Sequence, residues 1–541
     1  MKKLLVLLMT ALMLVSMVAC ETKPKGEQVI RVAIGDEPNI PDPAIATDNV
    51  SFSVLAQIYY GLFELDTIGN VVLTGCKSYD VSDDGLVYTF VIKDMKWSDG
   101  VKVTADHFVY GMKRSVGMGN DVAYYNYFIG NYVAGPKTDQ GKSVYDGKDI
   151  ADMVDLGIKV IDEDTFEITL EKPVPFFPSL MTSSVFYPLR PEVAPEHDST
   201  WAYSVDAPVN GPFKPTKLDL TAELVFVPNE HFIDAKKVTL QSVTFIPMND
   251  SDAQALAFEA GEIDIATRPS DSAIKARQGS KELVWAHATI NYYFLINSAD
   301  FTTAKALQDV RVRRALQLAI DREQLCEVMD VPGKFSPMYG YVPVGIPGAK
   351  GDFRSERDDV EKLVYFDQAE ALALLAEAGY GPDNPLKLEY LYNISTMHDT
   401  ASANIQAQLK EIGVEIHFRT ADFMTVLTER DQFAKYELAR GAMSADFMDP
   451  TTYLDMLATW SQQKVVINDA KYDGLLIDAQ NEQDPVKRME ILHEAEDYLI
   501  RDMAYVSPLF FYDNGYFIKD GISGIGMDPA GGLRFAFVKM P

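Results

Sequence analysis

Segments with the two-residue periodicity of β-strands alternate with helical segments along the whole chain, and this interleaving restricts the folds open to it. Val414 and Ile416 alternate with polar residues, which predicts a half-buried strand directly after a helix over residues 401–412. Capping signals predict a helix over 367–378, and apolar spacing predicts another over 311–326. Because strands and helices are mixed without regular βαβ spacing, the sequence predicts an α/β protein with more than one lobe.

Length and charge exclude several classes of protein. The chain has 541 residues, of which 49 are basic and 79 acidic, and its formal charge is −30 at pH 7. Apolar residues make up 47% and can bury large cores, which excludes wholesale disorder. The acidity argues against a nucleic-acid partner, because phosphate backbones require a basic surface.

The N-terminal residues have the pattern of an export signal. A short basic start precedes an almost unbroken apolar run at 4–17, and Ala19 and Cys20 follow it closely. A cysteine directly after a small residue resembles the lipobox of bacterial lipoproteins, in which this cysteine carries the lipid. We therefore expect a signal peptide at 1–19, a tether at 20–27, and a location outside the cytoplasm with Cys20 as the membrane anchor. An ordinary signal peptide with an incidental cysteine is the alternative.

The sequence contains none of the common catalytic or metal-binding motifs. Its seven histidines include no pair at helical i, i+3 or i, i+4 spacing, so a helical zinc signature is absent. There is no Gly-x-Ser-x-Gly elbow, no Walker loop and no Gly-x-Gly-x-x-Gly. We expect a binding protein with no cofactor and no metal. A secreted hydrolase that uses two carboxylates remains an alternative, because 79 acidic residues include pairs by chance.

A series of short segments, in a characteristic order, carries a family resemblance. The segments are Trp97-Ser98-Asp99-Gly100, Asn210-Gly211-Pro212-Phe213, Gly261-Glu262-Ile263-Asp264, Ile320-Asp321-Arg322, Ser444-Ala445-Asp446-Phe447 and Asp449-Pro450. Together they resemble the extracytoplasmic solute-binding proteins of peptide ABC transporters (family 5), and most closely the oligopeptide-binding members. The resemblance extends from about residue 28 to the end of the chain.

The resemblance implies a two-lobed periplasmic-binding-protein-like fold (type II, cluster C) with an additional α/β domain. Ligand would lie enclosed between two hinged lobes. The predicted domains are lobe I at 28–59, 184–288 and 514–541, the extra domain at 60–183, and lobe II at 289–513.

A receptor for many different peptides must bind what all peptides share, namely a backbone, an ammonium group and a carboxylate. An added strand satisfies the ligand backbone whatever its side chains are, and a buried aspartate can bind the ammonium group. By resemblance, Asp446 is the ammonium-binding aspartate, and Arg440 is directed at a peptide carboxylate. Ala442, Met443 and Ser444 correspond to the segment whose backbone pairs with the ligand.

Other positions are assigned by resemblance alone. Arg430 and His398 match basic positions that serve ligands of different lengths. Aromatic residues that match the lining of the side-chain pockets are Tyr124, Tyr293, Phe423 and Tyr512.

The chain also departs from the family pattern. Met443 replaces a pocket tryptophan, and Ser444 and Ile290 replace two cysteines that are bridged in enterobacterial members. Leu295 replaces a pocket glutamate, which predicts reduced tolerance for basic ligand side chains at the facing position.

The sequence therefore predicts a monomeric, lipid-anchored receptor that captures short peptides and delivers them to the membrane subunits of an ABC importer. Dipeptides, signalling peptides or a nickel complex are alternative ligands on the same fold. Asp446 disfavours the nickel complex, because an aspartate at this position binds an ammonium group.

Overall fold

The computed structural model describes residues 27–39, 41–118, 127–137, 143–145, 147–299, 304–357, 363–432, 435–461, 467–529 and 531–541. The strands are β1 (Val29–Ile34), β2 (Phe63–Leu65), β3 (Val71–Leu73), β4 (Cys76–Val81), β5 (Val87–Ile92), β6 (Ile158–Asp162), β7 (Thr165–Thr169), β8 (Phe213–Asp219), β9 (Glu223–Pro228), β10 (Ser242–Pro247), β11 (Ile265–Ala266), β12 (Leu283–Ile296), β13 (Phe335–Pro337), β14 (Leu386–Asn393), β15 (Val414–Ala421), β16 (Leu438–Met443), β17 (Val506–Ile518), β18 (Gly526–Met527) and β19 (Leu533–Arg534). The helices are α1 (Asn49–Ile58), α2 (Ala105–Gly117), α3 (Tyr127–Gly130), α4 (Phe177–Leu180), α5 (Ser251–Ala260), α6 (Asp271–Ala276), α7 (Val310–Leu318), α8 (Arg322–Met329), α9 (Gln368–Glu377), α10 (Thr396–Glu411), α11 (Phe423–Leu427), α12 (Thr451–Leu454), α13 (Ala470–Asn481) and α14 (Pro485–Asp497).

One large mixed sheet runs through most of the molecule. Its strand order is β15-β14-β16-β12-β17-β11-β1-β10-β9-β8, and β13 pairs with β17. The long antiparallel strands β12 and β17 extend through both halves of this sheet, and their register shifts between Ala286 and Ile290. This pair therefore links the half that contains β1 to the half that contains β16.

Separate apolar cores support the two halves. The antiparallel sheet β4-β5-β7-β6 shares one core with β1 and α1. In the other half, neighbouring residues of β12 point to opposite faces, as in any strand. Tyr292 packs in the core that includes residues of α7 to α10, whereas Tyr293 packs in the core that includes residues of α12 to α14.

Two helix predictions need correction. The helix predicted over 311–326 is two helices, because the Asp321 side chain accepts a hydrogen bond from the Gln324 N–H at 3.0 Å and starts α8. The helix predicted over 401–412 begins earlier, at Thr396, because Ser395 caps it by accepting from the His398 N–H at 3.1 Å. This early start places His398 in the first turn of α10.

The other local predictions are confirmed. Helix α9 lies within 367–378, and its N-cap Asp367 accepts a hydrogen bond from the Glu370 N–H at 2.9 Å. The strand predicted at Val414 is β15. Gly413, directly before it, has a φ of +83°, a conformation that favours glycine.

The predicted domain boundaries stay predictions, although the sheet β4-β5-β7-β6 lies within the segment 60–183. The proposed signal peptide and Cys20 lie outside the described residues. Among the helices that are described, none combines the length and the apolar composition needed to cross a membrane.

Candidate ligand-binding site

Arg440 is a buried cation in the middle of β16. It lies opposite Phe294 of β12, and its guanidinium carbon is 5.6 Å from the ring centroid of Tyr292. Its Nε atom has no hydrogen-bond partner, and no carboxylate of the described residues forms an ion pair with it. Because a buried charge without a counter-ion is costly, Arg440 is suited to receive an anionic group from a ligand.

His398 lies in the same cluster as Arg440. Its Nδ1 is 3.2 Å from the hydroxyl oxygen of Tyr292, so one tyrosine touches both predicted basic residues. Burial lowers the pKa of His398 to about 3, and the nearby charge of Arg440 contributes. The imidazole is therefore neutral at neutral pH and acts there as a hydrogen-bonding group.

The side chain of Arg430 bonds to the backbone of β16 next to the point where the pairing of β16 with β14 ends. The parallel pairing of β14 with β16 ends at Leu391 and Ala439. At the next residue, Arg430 Nη1 donates a hydrogen bond to the carbonyl oxygen of Arg440 at 3.0 Å. Within the described part of the chain, no strand continues along this edge of β16 beyond that carbonyl.

The residues predicted to pair with a ligand backbone lie at this open edge. Ala442 and Met443 are the last two residues of β16, and Ser444 follows the strand. All three are half-buried. The Met443 N–H donates to the side-chain oxygen of Asn291 at 3.0 Å, which holds the strand end against β12.

Asp446 lies beyond the end of β16, at a cavity of about 120 Å³. It is half-buried, and its backbone N–H donates to Thr452 Oγ1 at 3.1 Å. Ser444 and Ala445 also line the cavity. Other lining residues come from segments far away in sequence, including Phe52, Leu65, Ser183, Tyr187, Asp528 and Arg534. The carboxylate therefore lies where distant parts of the chain meet, in a space large enough for several water molecules.

The predicted aromatic residues occupy different surroundings. Tyr512 is half-buried beside Phe335, with ring centroids 6.1 Å apart, and burial raises its pKa while Arg440 opposes that shift. Tyr293 is buried against Tyr341, with centroids 4.9 Å apart, on the opposite face of the sheet from Arg440. Phe423 is 50% exposed at the start of α11.

Two further predicted positions do not add to this cluster. Tyr124 lies outside the described residues. Leu295 is buried with Tyr293 in the core and does not line the cavity at Asp446. The structure thus brings Arg440, His398 and Tyr512 together on one face of the sheet, with Asp446 beyond the strand end.

Sequence reasoning missed Tyr292 and Asn291, two adjacent residues of β12 that organise this region. Tyr292 contacts both basic side chains, and Asn291 Nδ2 donates to the Tyr341 carbonyl at 2.9 Å while its oxygen holds Met443. The only sequence signal was their position in an apolar strand, where a buried asparagine requires hydrogen-bond partners.

One group of side chains among the described residues is compact enough to share a metal ion, namely Asp149, Glu196 and His197. His197 Nε2 is 2.8 Å from Asp149 Oδ1, and Glu196 accepts from the Ile150 N–H at 2.7 Å. His197 and Asp149 thus pair with each other, and Glu196 pairs with a backbone N–H. None of the three lines the cavity at Asp446, so they are not part of the candidate site.

Comparisons with known proteins show the family to which this fold belongs. The family model described as bacterial extracellular solute-binding proteins, family 5 Middle, matches residues 71–464. The periplasmic murein peptide-binding protein MppA of Escherichia coli is 30% identical over 497 residues, covering 91% of this chain and 89% of MppA.

Solved structures of peptide-binding proteins resemble this fold over nearly the whole chain. The unliganded open form of MppA superposes with a TM-score of 0.77 at 26% identity, covering 95% of this chain and 98% of that one. The peptide-bound OppA of Listeria monocytogenes superposes with a TM-score of 0.70 at 26% identity, covering 95% and 99%. The predicted two-lobed α/β fold is confirmed by these structures.

Proposed function

The chain belongs to family 5 of the bacterial extracellular solute-binding proteins, and on this premise we propose that it captures short peptides outside the cytoplasmic membrane and delivers them to an ABC importer. The observation that carries this proposal is the buried guanidinium of Arg440, which has no carboxylate partner among the described residues and lies at the open edge of β16. A peptide carboxylate would supply the missing negative charge.

The open edge and the two charges suit an extended peptide. Its backbone would add to β16 along residues 441–443, which needs no particular side chains. Asp446 would receive its ammonium group. Arg440 and Asp446 are six positions apart, so an extended chain sets their separation at no more than about 20 Å. A peptide that reaches both charges therefore has at most about six residues.

In the proposed function, the protein binds its ligand and neither forms nor breaks a covalent bond in it. MppA and OppA are named as peptide-binding proteins, and peptide recovered from the complex should accordingly be intact. We further propose that Cys20 carries a lipid anchor and that the membrane subunits of the importer are the partner.

Titration calorimetry with modified peptides tests the two charged contacts separately. A free tripeptide, its N-acetylated form and its C-terminally amidated form are compared on the wild type, Asp446→Asn and Arg440→Gln. Each terminal modification should cost about 2–5 kcal/mol in the wild type, because it leaves a buried charge without its partner. Asp446→Asn should bind the N-acetylated peptide about as tightly as it binds the free peptide. Arg440→Gln should likewise bind the amidated peptide about as tightly as the free one.

Asp383→Asn is the matched control, because it removes one negative charge from an exposed position. It should bind all three peptides as the wild type does. If Asp446→Asn binds the free tripeptide as tightly as the wild type, the ammonium contact is assigned to the wrong residue. Failure of every free peptide to bind the wild type would contradict the proposed function itself.

A further inference from the structure

A histidine lies at the point where the pairing of β12 with β17 is interrupted. The register shifts there, and residues 287–289 of β12 bulge opposite a single residue of β17, Asp513. On one side of the bulge β17 pairs with β11, and on the other side β12 pairs with β16. The junction, which is residues 286–290 of β12 with residues 512–514 of β17, therefore lies between the two halves of the large sheet. His287 is the first residue of its bulge.

Both ring nitrogens of His287 face hydrogen-bond acceptors. Nδ1 is 2.9 Å from Asp513 Oδ1, and Nε2 is 2.9 Å from the carbonyl oxygen of Val344. An ionised carboxylate and a carbonyl oxygen can only accept, whereas a neutral imidazole carries a single N–H. The protonated imidazolium can donate both hydrogen bonds, and the neutral ring can donate only one of them.

The loop that contains Val344 leaves room for this side chain. The next residue, Gly345, has a φ of +93°, and a Cβ atom there would lie 2.4 Å from His287 Nε2. A glycine is therefore required at this position, both for its backbone conformation and for the close approach of the ring. Tyr341 and Ile346 of the same loop pack in the core that includes residues of α12 to α14. The bond to Val344 thus joins the junction to the half of the molecule that contains β16.

The charged groups that face His287 favour its protonated form. Asp513 comes from β17, and Asp352 comes from the loop that contains Val344. The hydrogen bond to Asp513 raises the pKa of His287 and partial burial opposes this, while the bond to Val344 and the charges of both aspartates add to the rise. The ring of Phe511 meets the imidazole edge-on, with centroids 6.2 Å apart, and carries no charge.

We propose that His287 is a pH-sensitive switch at the junction, which binds both β17 and the loop at Val344 when protonated and loses one of these two bonds when it gives up its proton. Because β12 and β17 link the two halves, the strength of this link then depends on pH. The stabilising contribution is fully present below about pH 6.5, the pKa of an imidazole in an unfolded chain, and is lost as the pH rises through the higher pKa of the folded protein. The switch requires no bound peptide, so it can fail without affecting the proposed function.

Nuclear magnetic resonance of the histidine side chains tests the protonation state in the unmodified protein. The signal of His287, assigned by its absence from His287→Gln, should titrate above about pH 6.5 and should show protons on both ring nitrogens at lower pH. Asp513→Asn keeps an oxygen acceptor but removes the charge, so His287 should titrate at a lower pH in this variant than in the wild type. A wild-type His287 that titrates at or below about pH 6.5 would overturn the inference.

Hydrogen exchange measured by mass spectrometry tests whether this proton holds the junction. After correction for the intrinsic exchange rate, amides of the junction should open at least about threefold more often at about pH 9 than at about pH 6. His287→Gln should remove this pH dependence, whereas His417→Gln, at an exposed histidine, should keep it. Equal opening at the two pH values in the wild type, or an unchanged pH dependence in His287→Gln, would contradict the switch.

Discussion

At the scale of single residues, the contact between Tyr292 and two basic side chains has the largest consequences. Arg440 lies over the tyrosine ring, and His398 meets its hydroxyl. Two cations cannot be buried side by side without a counter-charge, so the histidine is the one that gives up its proton. This leaves one positive charge for a ligand carboxylate and one neutral hydrogen-bonding group beside it.

The depressed pKa of His398 predicts a pH-dependent stability. It is about 3 in the folded protein, against about 6.5 for an ordinary imidazole in the unfolded chain. Between these values the unfolded state binds a proton that the folded state does not. The stability contributed by neutral His398 is therefore fully present above about pH 6.5 and is lost as the pH falls toward 3.

Replacement of His398 by glutamine should flatten this dependence. Between pH 6.5 and 4, denaturant titration of the wild type should lose stability, by an amount of the order of a few kcal/mol, that His398→Gln does not lose. His417→Gln is the control, because His417 is exposed. Parallel curves for the wild type and His398→Gln would show that burial of this imidazole does not govern acid stability.

At the scale of elements, the short pairing between β14 and β16 leaves open the edge at which we propose that the peptide binds. Only two residue pairs join these strands, whereas β12 pairs with β16 along six. A strand held firmly on one side and free on the other can accept an extended ligand without breaking any existing ladder. The edge is short, which also limits unwanted pairing with other chains.

Backbone pairing predicts sensitivity to methylation of the ligand amides. For a tetrapeptide, N-methylation of at least one interior amide should lower affinity about tenfold or more, because a hydrogen bond to β16 is lost and the methyl group clashes. Replacing alanine by 2-aminobutyrate at the same position is the control, since it adds the same carbon but keeps the N–H. Calorimetry that finds every N-methylated peptide as tight as its control would exclude strand addition.

At the scale of the whole molecule, residues 447–448 connect two distant parts of the chain. Phe447 stacks on Phe176, with centroids 4.8 Å apart, and meets Phe128 edge-on at 5.9 Å. The Met448 N–H donates to Ser179 Oγ at 2.8 Å in a buried position. The residues that make these contacts directly follow Asp446 in the chain. The position of the proposed ammonium site therefore depends on the contact between residues 447–448 and the segments that contain Phe128, Phe176 and Ser179.

Phe447→Ala should therefore weaken binding of every peptide by a similar factor. Loss of the aromatic contacts weakens the contact between these two parts of the chain, and a penalty of this kind applies equally to free, acetylated and amidated ligands. We expect a loss of about tenfold, measured by calorimetry. Phe537→Ala, at a phenylalanine that is 44% exposed, should have no effect. A loss confined to one terminal modification would instead place Phe447 in direct contact with that end of the peptide.

The sequence by itself determined much of the local structure and predicted which residues form the candidate site. The cap at Asp367 and the turn at Gly413 were readable because each depends on a few neighbouring residues. The resemblance also assigned Arg440 and Asp446 to the candidate site. Their roles at a ligand stay predictions, and the six positions between them limit the distance between the two residues. The break at Asp321 was missed because a polar cap can start a new helix within an apolar pattern.

Only the tertiary structure decided which side chains meet. The contact between Tyr292 and His398 spans 106 positions in sequence, and the cavity at Asp446 brings in residues from both ends of the chain. Such contacts depend on strand register, where a shift by one residue moves every side chain to the other face. Tyr292 and Tyr293 are neighbouring tyrosines that the sequence alone does not distinguish. The pairing of β12 with β16 places Tyr292 beside Arg440 and Tyr293 in the core on the other face of the sheet.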